Sequence, residues 1–98
     1  MKRADAIAAL KHEAPALKAR GATSLYLFGS TGRDEARDES DVDLFIDYAH
    51  GTGFSLVELV GIKHYLEDRL GVPIDVTTRD SLHPLLKRKI EASAEQIF

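Results

Sequence analysis

Between residues 25 and 48 the chain reads LYLFGSTGRDEARDESDVDLFIDY, and few folds accommodate that order of pieces. A short apolar run, Leu25-Tyr26-Leu27-Phe28, breaks at Gly29-Ser30. A polar, charged connection over residues 31–40 follows and ends in Asp41-Val42-Asp43, which leads into a second apolar run, Leu44-Phe45-Ile46. Both apolar runs have the length and the β-branched or aromatic content of strands. In a strand, side chains alternate between two faces. Val42, Leu44 and Ile46 therefore share a face suited to a core, and Asp41 and Asp43 share the other.

Two carboxylates at i and i+2 on one strand lie roughly 6.5 Å apart along the backbone, close enough for their oxygens to converge on a small hard cation. Mg²⁺ takes oxygen ligands in an octahedron and is held by one or two carboxylates together with substrate phosphates. Gly29-Ser30 supplies the complementary part. Glycine lets a phosphate approach the backbone closely. A serine hydroxyl and nearby N–H groups then donate to phosphate oxygens, more strongly where a helix begins. The stretch reads as a phosphate cradle facing a metal-binding carboxylate pair, which is equipment for moving a phosphoryl or nucleotidyl group.

The flanking chain supplies a frame. Ile7 and Leu10 recur at helical spacing among alanines, predicting a helix over 3–12. Pro15 ends that helix or enters the first turn of another that continues over 17–20, with Gly21 as its stop. After β-type residues 41–48 and a flexible connection around Gly51 and Gly53, residues 55–70 give the clearest helix. Leu56, Leu59, Val60, Ile62, Tyr65 and Leu66 form its broad apolar face. Ser55 and Glu58 have the spacing of a capping box, and Gly71 and Pro73 end the helix. Residues 74–78 form a third strand in which Ile74 and Val76 alternate with Asp75 and Thr77. Aspartate is disfavoured in strands. Asp75 either faces water on an edge or stands beside Asp41 and Asp43 as a third carboxylate, since adjacent strands lie roughly 4.8 Å apart. A last helix is expected over 82–98, with Leu82, Leu85, Leu86, Ile90, Ala94 and Ile97 as its stripe. Lys87, Arg88 and Lys89 make a small basic cluster on it.

Arg33 lies three residues after Ser30 and is either solvated or a source of positive charge near a triphosphate. Arg37 and the acids of the same connection read as surface. Asp47 continues the face of Asp41 and Asp43, beyond the metal site. His50, His64 and His83 read as exposed or structural histidines.

A length of 98 residues matches a single domain, 1–98, with one core. A formal charge of −3 argues against a general nucleic-acid binder, which is usually basic. No cysteine is present, so disulfides, thiolate zinc sites and thiol nucleophiles are excluded. That suits the cytoplasm. No apolar run approaches the ~18 residues that a membrane span requires.

Gly29-Ser30, ten intervening residues, then Asp41-Val42-Asp43, with strands on both sides and Asp75 downstream, resembles the signature of the minimal nucleotidyltransferases of the DNA polymerase β-like superfamily. The resemblance covers nearly the whole chain. It implies an α/β (α+β) fold with a three-stranded mixed sheet in the order 1-2-3 and helices mainly on one face. It implies a catalytic and metal set of Asp41, Asp43 and Asp75, about two Mg²⁺ ions, and ATP as nucleotidyl donor held by Gly29, Ser30 and Arg33. Minimal members further resemble the antitoxin half of two-gene toxin–antitoxin pairs whose partner is an all-helical HEPN ribonuclease. This implies a hetero-oligomer and adenylylation of a toxin tyrosine. The alternatives are neutralisation by binding alone, or transfer to RNA or a small molecule with a separate substrate-binding subunit.

Overall fold

The computed structural model describes residues 2–29 and 42–98. Helices α1 (Arg3–His12) and α2 (Ala14–Ala19) open the chain, with Pro15 in the first turn of α2, where its missing N–H leaves no helical bond unmade. Strand β1 (Ala22–Phe28) pairs antiparallel with β2 (Val42–Tyr48). Helix α3 (Leu56–Leu70) then crosses to β3 (Ile74–Thr78), which lies parallel to β2. A 3-10 turn (Arg79–Ser81), helix α4 (Lys87–Ser93) and a short strand β4 (Glu95–Gln96) complete the chain. The sheet order is β3-β2-β1-β4.

The expected alternation in β2 governs the packing. Val42, Leu44 and Ile46 are buried beneath the helices with Leu25 and Leu27 of β1 and Ile74 and Val76 of β3. Ala6 and Leu10 of α1, Leu17 of α2, and Ile62 and Leu66 of α3 join this core. Each fully buried leucine or isoleucine contributes about 1.5–3 kcal/mol relative to exposure. Helix α3 begins at the expected capping box: the Ser55 side chain accepts from the Val57 N–H, and the Ser55 N–H donates to Glu58 Oε2 at 3.0 Å. It ends at Gly71, whose φ of +71° is the left-handed conformation glycine tolerates best.

Two expectations are corrected. The apolar face of α3 is wider than the sheet can cover. Ile62 and Leu66 are buried, whereas Leu56, Val57 and Val60 point outward, 72%, 78% and 39% exposed. The helix over 82–98 is also replaced by three pieces. Pro84 disfavours helical backbone at His83, and regular helix starts only at Lys87. Leu85 and Leu86 are consequently exposed rather than part of a buried stripe. After Ser93 the chain extends, and Tyr26 and Leu27 pair with Gln96 and Glu95. The Ile97 N–H donates to the Leu25 carbonyl at 2.8 Å, and the Leu25 N–H donates to the Phe98 carbonyl at 3.2 Å. These bonds satisfy backbone groups that β1 would otherwise leave open as a sheet edge. The sheet thus has four strands rather than three, and Ile97 reaches the core from the strand end.

Candidate active site

The face of the sheet opposite α1–α3 carries the acidic residues. Asp43 is register partner of Asp75 across the parallel β2–β3 pair. Partners in register project to the same face, so the two carboxylates stand on neighbouring strands about 4.8 Å apart. Asp75 is exposed and Asp43 half-buried. Across the other ladder, Asp43 pairs with Phe28, the residue before Gly29.

Gly29 has φ +76°, and a β-carbon there would overlap the Asp43 carboxylate. The glycine is therefore required twice, by its backbone conformation and by the close approach of Asp43 to the main chain. This brings the expected phosphate-binding turn against one of the expected metal ligands. Two carboxylates on one face beside the Gly29 backbone form an oxygen donor set of the kind Mg²⁺ takes. The remaining expected residues, Asp41, Ser30, Arg33 and Arg37, lie outside the described residues. Among the described residues no cluster of three metal-ligating side chains occurs, because Asp43 and Asp75 are the two members of the expected acid set found there.

The rest of that face is closed rather than open. Phe45 follows Asp43 on the same side, is fully buried, and stacks on Tyr26 at 4.7 Å between ring centroids, with Phe28 at 5.7 Å. The Arg79 guanidinium lies over both Tyr26 and Phe45, 4.7 Å and 5.1 Å from their centroids. It donates from Nε to Asp47 Oδ1 at 2.8 Å, from Nη2 to Asp47 Oδ2 at 3.0 Å, and from Nη1 to Glu91 Oε2 of α4 at 2.6 Å. These carboxylates hold the Arg79 pKa above its ordinary value. Asp47 thus shares the face of Asp43, as the alternation predicts, and serves an ion-pair network. Sequence reasoning did not single out Arg79. Its signal was positional: a basic residue directly after β3, with Asp47 near the end of the neighbouring strand.

His50, His64 and His83 are exposed, as expected. His50 packs against Tyr48 at 4.6 Å between centroids, and His83 Nδ1 accepts from the Leu85 N–H at 3.2 Å. A second polar cluster lies behind the helices. Glu13, 6% exposed, accepts from the Tyr65 hydroxyl at 2.6 Å and from Arg69 Nε at 3.1 Å. The Tyr65 bond, with help from Arg69, holds the Glu13 pKa below its usual value.

Residues 10–96 match the family model described as a nucleotidyltransferase domain. A Methanocaldococcus jannaschii protein named as a candidate protein adenylyltransferase is 42% identical over 84 residues, covering 86% of this chain and 88% of that protein. The protein adenylyltransferase MntA of Thermococcus cleftensis is 36% identical over 62 residues, 63% of this chain and 61% of that protein. Among solved structures, one described as a candidate minimal nucleotidyltransferase superimposes with a TM-score of 0.80 at 31% identity, covering 97% of this chain and 95% of that one. A toxin–antitoxin crystal structure with AMP-PNP shares the fold, with a TM-score of 0.72 at 16% identity over 90% of this chain and 72% of that one.

Proposed function

The chain belongs to the nucleotidyltransferase family, and from that premise we propose that it transfers AMP from ATP to a tyrosine hydroxyl of a HEPN ribonuclease toxin, acting as the antitoxin. The observation that carries a nucleotidyl-transfer site is the in-register pair Asp43–Asp75 on one face, with the Gly29 backbone against Asp43. The relatives named as protein adenylyltransferases support a protein acceptor. The fold shared with a toxin–antitoxin structure holding AMP-PNP supports an adenine nucleotide and a toxin partner.

In this reading Asp41, Asp43 and Asp75 hold Mg²⁺, and Gly29 and Ser30 bind the β- and γ-phosphates, with Arg33 adding positive charge. When bound, Mg²⁺ neutralises charge on the attacking and leaving oxygens. The acceptor oxygen forms a bond to the α-phosphorus as the bond from that phosphorus to the bridging oxygen breaks. Pyrophosphate leaves with the electron pair, and Asp75 either orients the acceptor hydroxyl as its proton passes to solvent or takes that proton itself. Much of the chain's task is positioning, as in phosphoryl transfer generally. The reaction belongs in the cytoplasm, where ATP and a ribonuclease toxin meet. Among the described residues no helix is long and apolar enough to cross a membrane.

The test is the intact mass of the neighbouring gene's product, after co-expression with the native protein or with the Asp41→Ala, Asp43→Ala double variant. Gain of one or more AMP-sized increments with the native protein alone supports transfer to protein. An unchanged mass with a stable complex in both cases overturns transfer to that protein and favours neutralisation by binding.

A further inference from the structure

At the far end of β2 from Asp43, a cavity of about 420 Å³ opens between the first turn of α3 and the 3-10 turn after β3. Tyr48 lies five steps along the strand from Asp43, roughly 17 Å of rise, so this cavity is not the acid site. Phe54, Leu56 and Leu59 give it an apolar wall, and Tyr48, Thr78 and Asp80 a polar one.

Among the described residues that line it, Asp80 is the one that carries a full charge. Its Oδ2 accepts from the Tyr48 hydroxyl at 3.0 Å, and its Oδ1 accepts from the Thr78 hydroxyl. These bonds hold its pKa below the usual value. Both donors are neutral, so they orient the carboxylate without cancelling its charge. His50 faces Asp80 from the connection after β2, and Arg79 and Lys87 line a smaller adjoining recess with it. The Arg79 charge is already engaged by Asp47 and Glu91.

The apolar surface does not stop at the cavity mouth. At about 100° per residue, Leu59, Leu56, Val60 and Val57 form a continuous arc of roughly 160° on α3. Leu56 and Val57 in that arc are more than two-thirds exposed, at 72% and 78%. A small molecule filling the cavity would leave that arc in water, whereas a protein surface would cover it.

We propose that the cleft between the first turn of α3 and the Arg79–Ser81 turn docks a helical segment of the acceptor protein, one that places an arginine or lysine between aliphatic residues. The aliphatic residues cover Leu56 and Val57, and the cation enters the cavity to meet Asp80. The proposal rests on the protein-acceptor reading above and adds a second contact remote from the acids. Such a contact raises the effective concentration of the acceptor hydroxyl at Asp43 and Asp75.

The probe is a synthetic 16-residue helical peptide with leucines at i and i+4 and arginine at i+3, titrated without nucleotide and followed by amide NMR. The expected footprint is Tyr48, Leu56, Val57 and Asp80. Replacing the peptide's arginine by glutamate, or Asp80→Asn or Val57→Glu in the protein, is expected to weaken binding at least tenfold, while Asp43→Asn leaves it unchanged. Amide spectra of the unliganded variants verify that each is folded. A footprint elsewhere, affinity indifferent to the peptide's charge, or no footprint at millimolar peptide overturns the docking site. Failure of AMP transfer in the co-expression test leaves this binding result intact, so the two readings fail separately.

Discussion

The two faces of one sheet are built on different principles. Beneath the helices, Leu25, Leu27, Val42, Leu44 and Ile46 belong to one hydrophobic cluster and are excluded from water. On the opposite face the same strands present Asp43, Phe45 and Asp47, with Asp75 alongside. There the middle is closed by the Tyr26–Phe45 stack and the Arg79 guanidinium, while Asp75 at one end stays exposed. The first face can be filled by non-directional burial. The second has to hold charged groups in place, which directional bonds to a planar guanidinium do. The difference teaches that the fold's stability and the candidate chemistry are carried by alternate residues of the same strand.

If that division holds, Asp43→Asn separates the faces most sharply. Loss of one ligand charge at a metal-assisted transfer is expected to lower kcat by on the order of 10³-fold. Thermal unfolding should stay close to that of the native protein, and retained turnover in radiolabelled ATP assays would remove Asp43 from the site. Leu44→Ala, one residue away, should do the reverse. Truncating a fully buried leucine costs about 2–5 kcal/mol, measured by urea unfolding, with turnover per folded molecule nearly unchanged.

Arg79→Met tests whether the second face depends on its ion pairs. The half-buried bonds to Asp47 and Glu91 suggest a loss of about 1–3 kcal/mol. Faster amide exchange in α4 and β4 should accompany it. An unchanged exchange pattern would mean that the aromatic stack alone holds the face together.

The smallest effect concerns the acid that, among the described residues, is buried on the helix side. Glu13 has a folded-state pKa below its usual 4.5, chiefly through the Tyr65 hydroxyl and then Arg69. A depressed carboxylate pKa contributes stability that is present above the unfolded value and lost as pH falls through the folded one. Native stability should therefore decline below about pH 4.5. Glu13→Gln should make that decline shallower and lower the neutral-pH plateau slightly. Parallel pH profiles of the two proteins would show that Glu13 does not contribute to the acid limb.

Much of this arrangement was readable in the residues. Alternation in VDLFIDY separates Asp43 and Asp47 from Val42, Leu44 and Ile46, and the structure keeps that separation. Ser55, Glu58 and Gly71 mark the ends of α3 where they occur. Asp75, against strand propensity, marked a position with a special neighbour, and that neighbour is Asp43. The Arg79 network was not readable, because its partners Asp47 and Glu91 lie 32 and 12 residues away and no local period joins them.

By itself, then, the sequence determined which side of β2 and of β3 is apolar and where α3 starts and stops. Those are consequences of two-residue and 3.6-residue periods, caps and backbone sterics, all local to the chain. Only the tertiary structure decided that the last residues form a strand. Residues 94–98 have apolar spacing compatible with helix, but the open edge of β1 offers them backbone hydrogen bonds as a strand. It also decided that Leu56, Val57 and Val60 remain outside. A flat sheet can cover only one side of a helix, so an apolar arc wider than that side leaves its remainder in water.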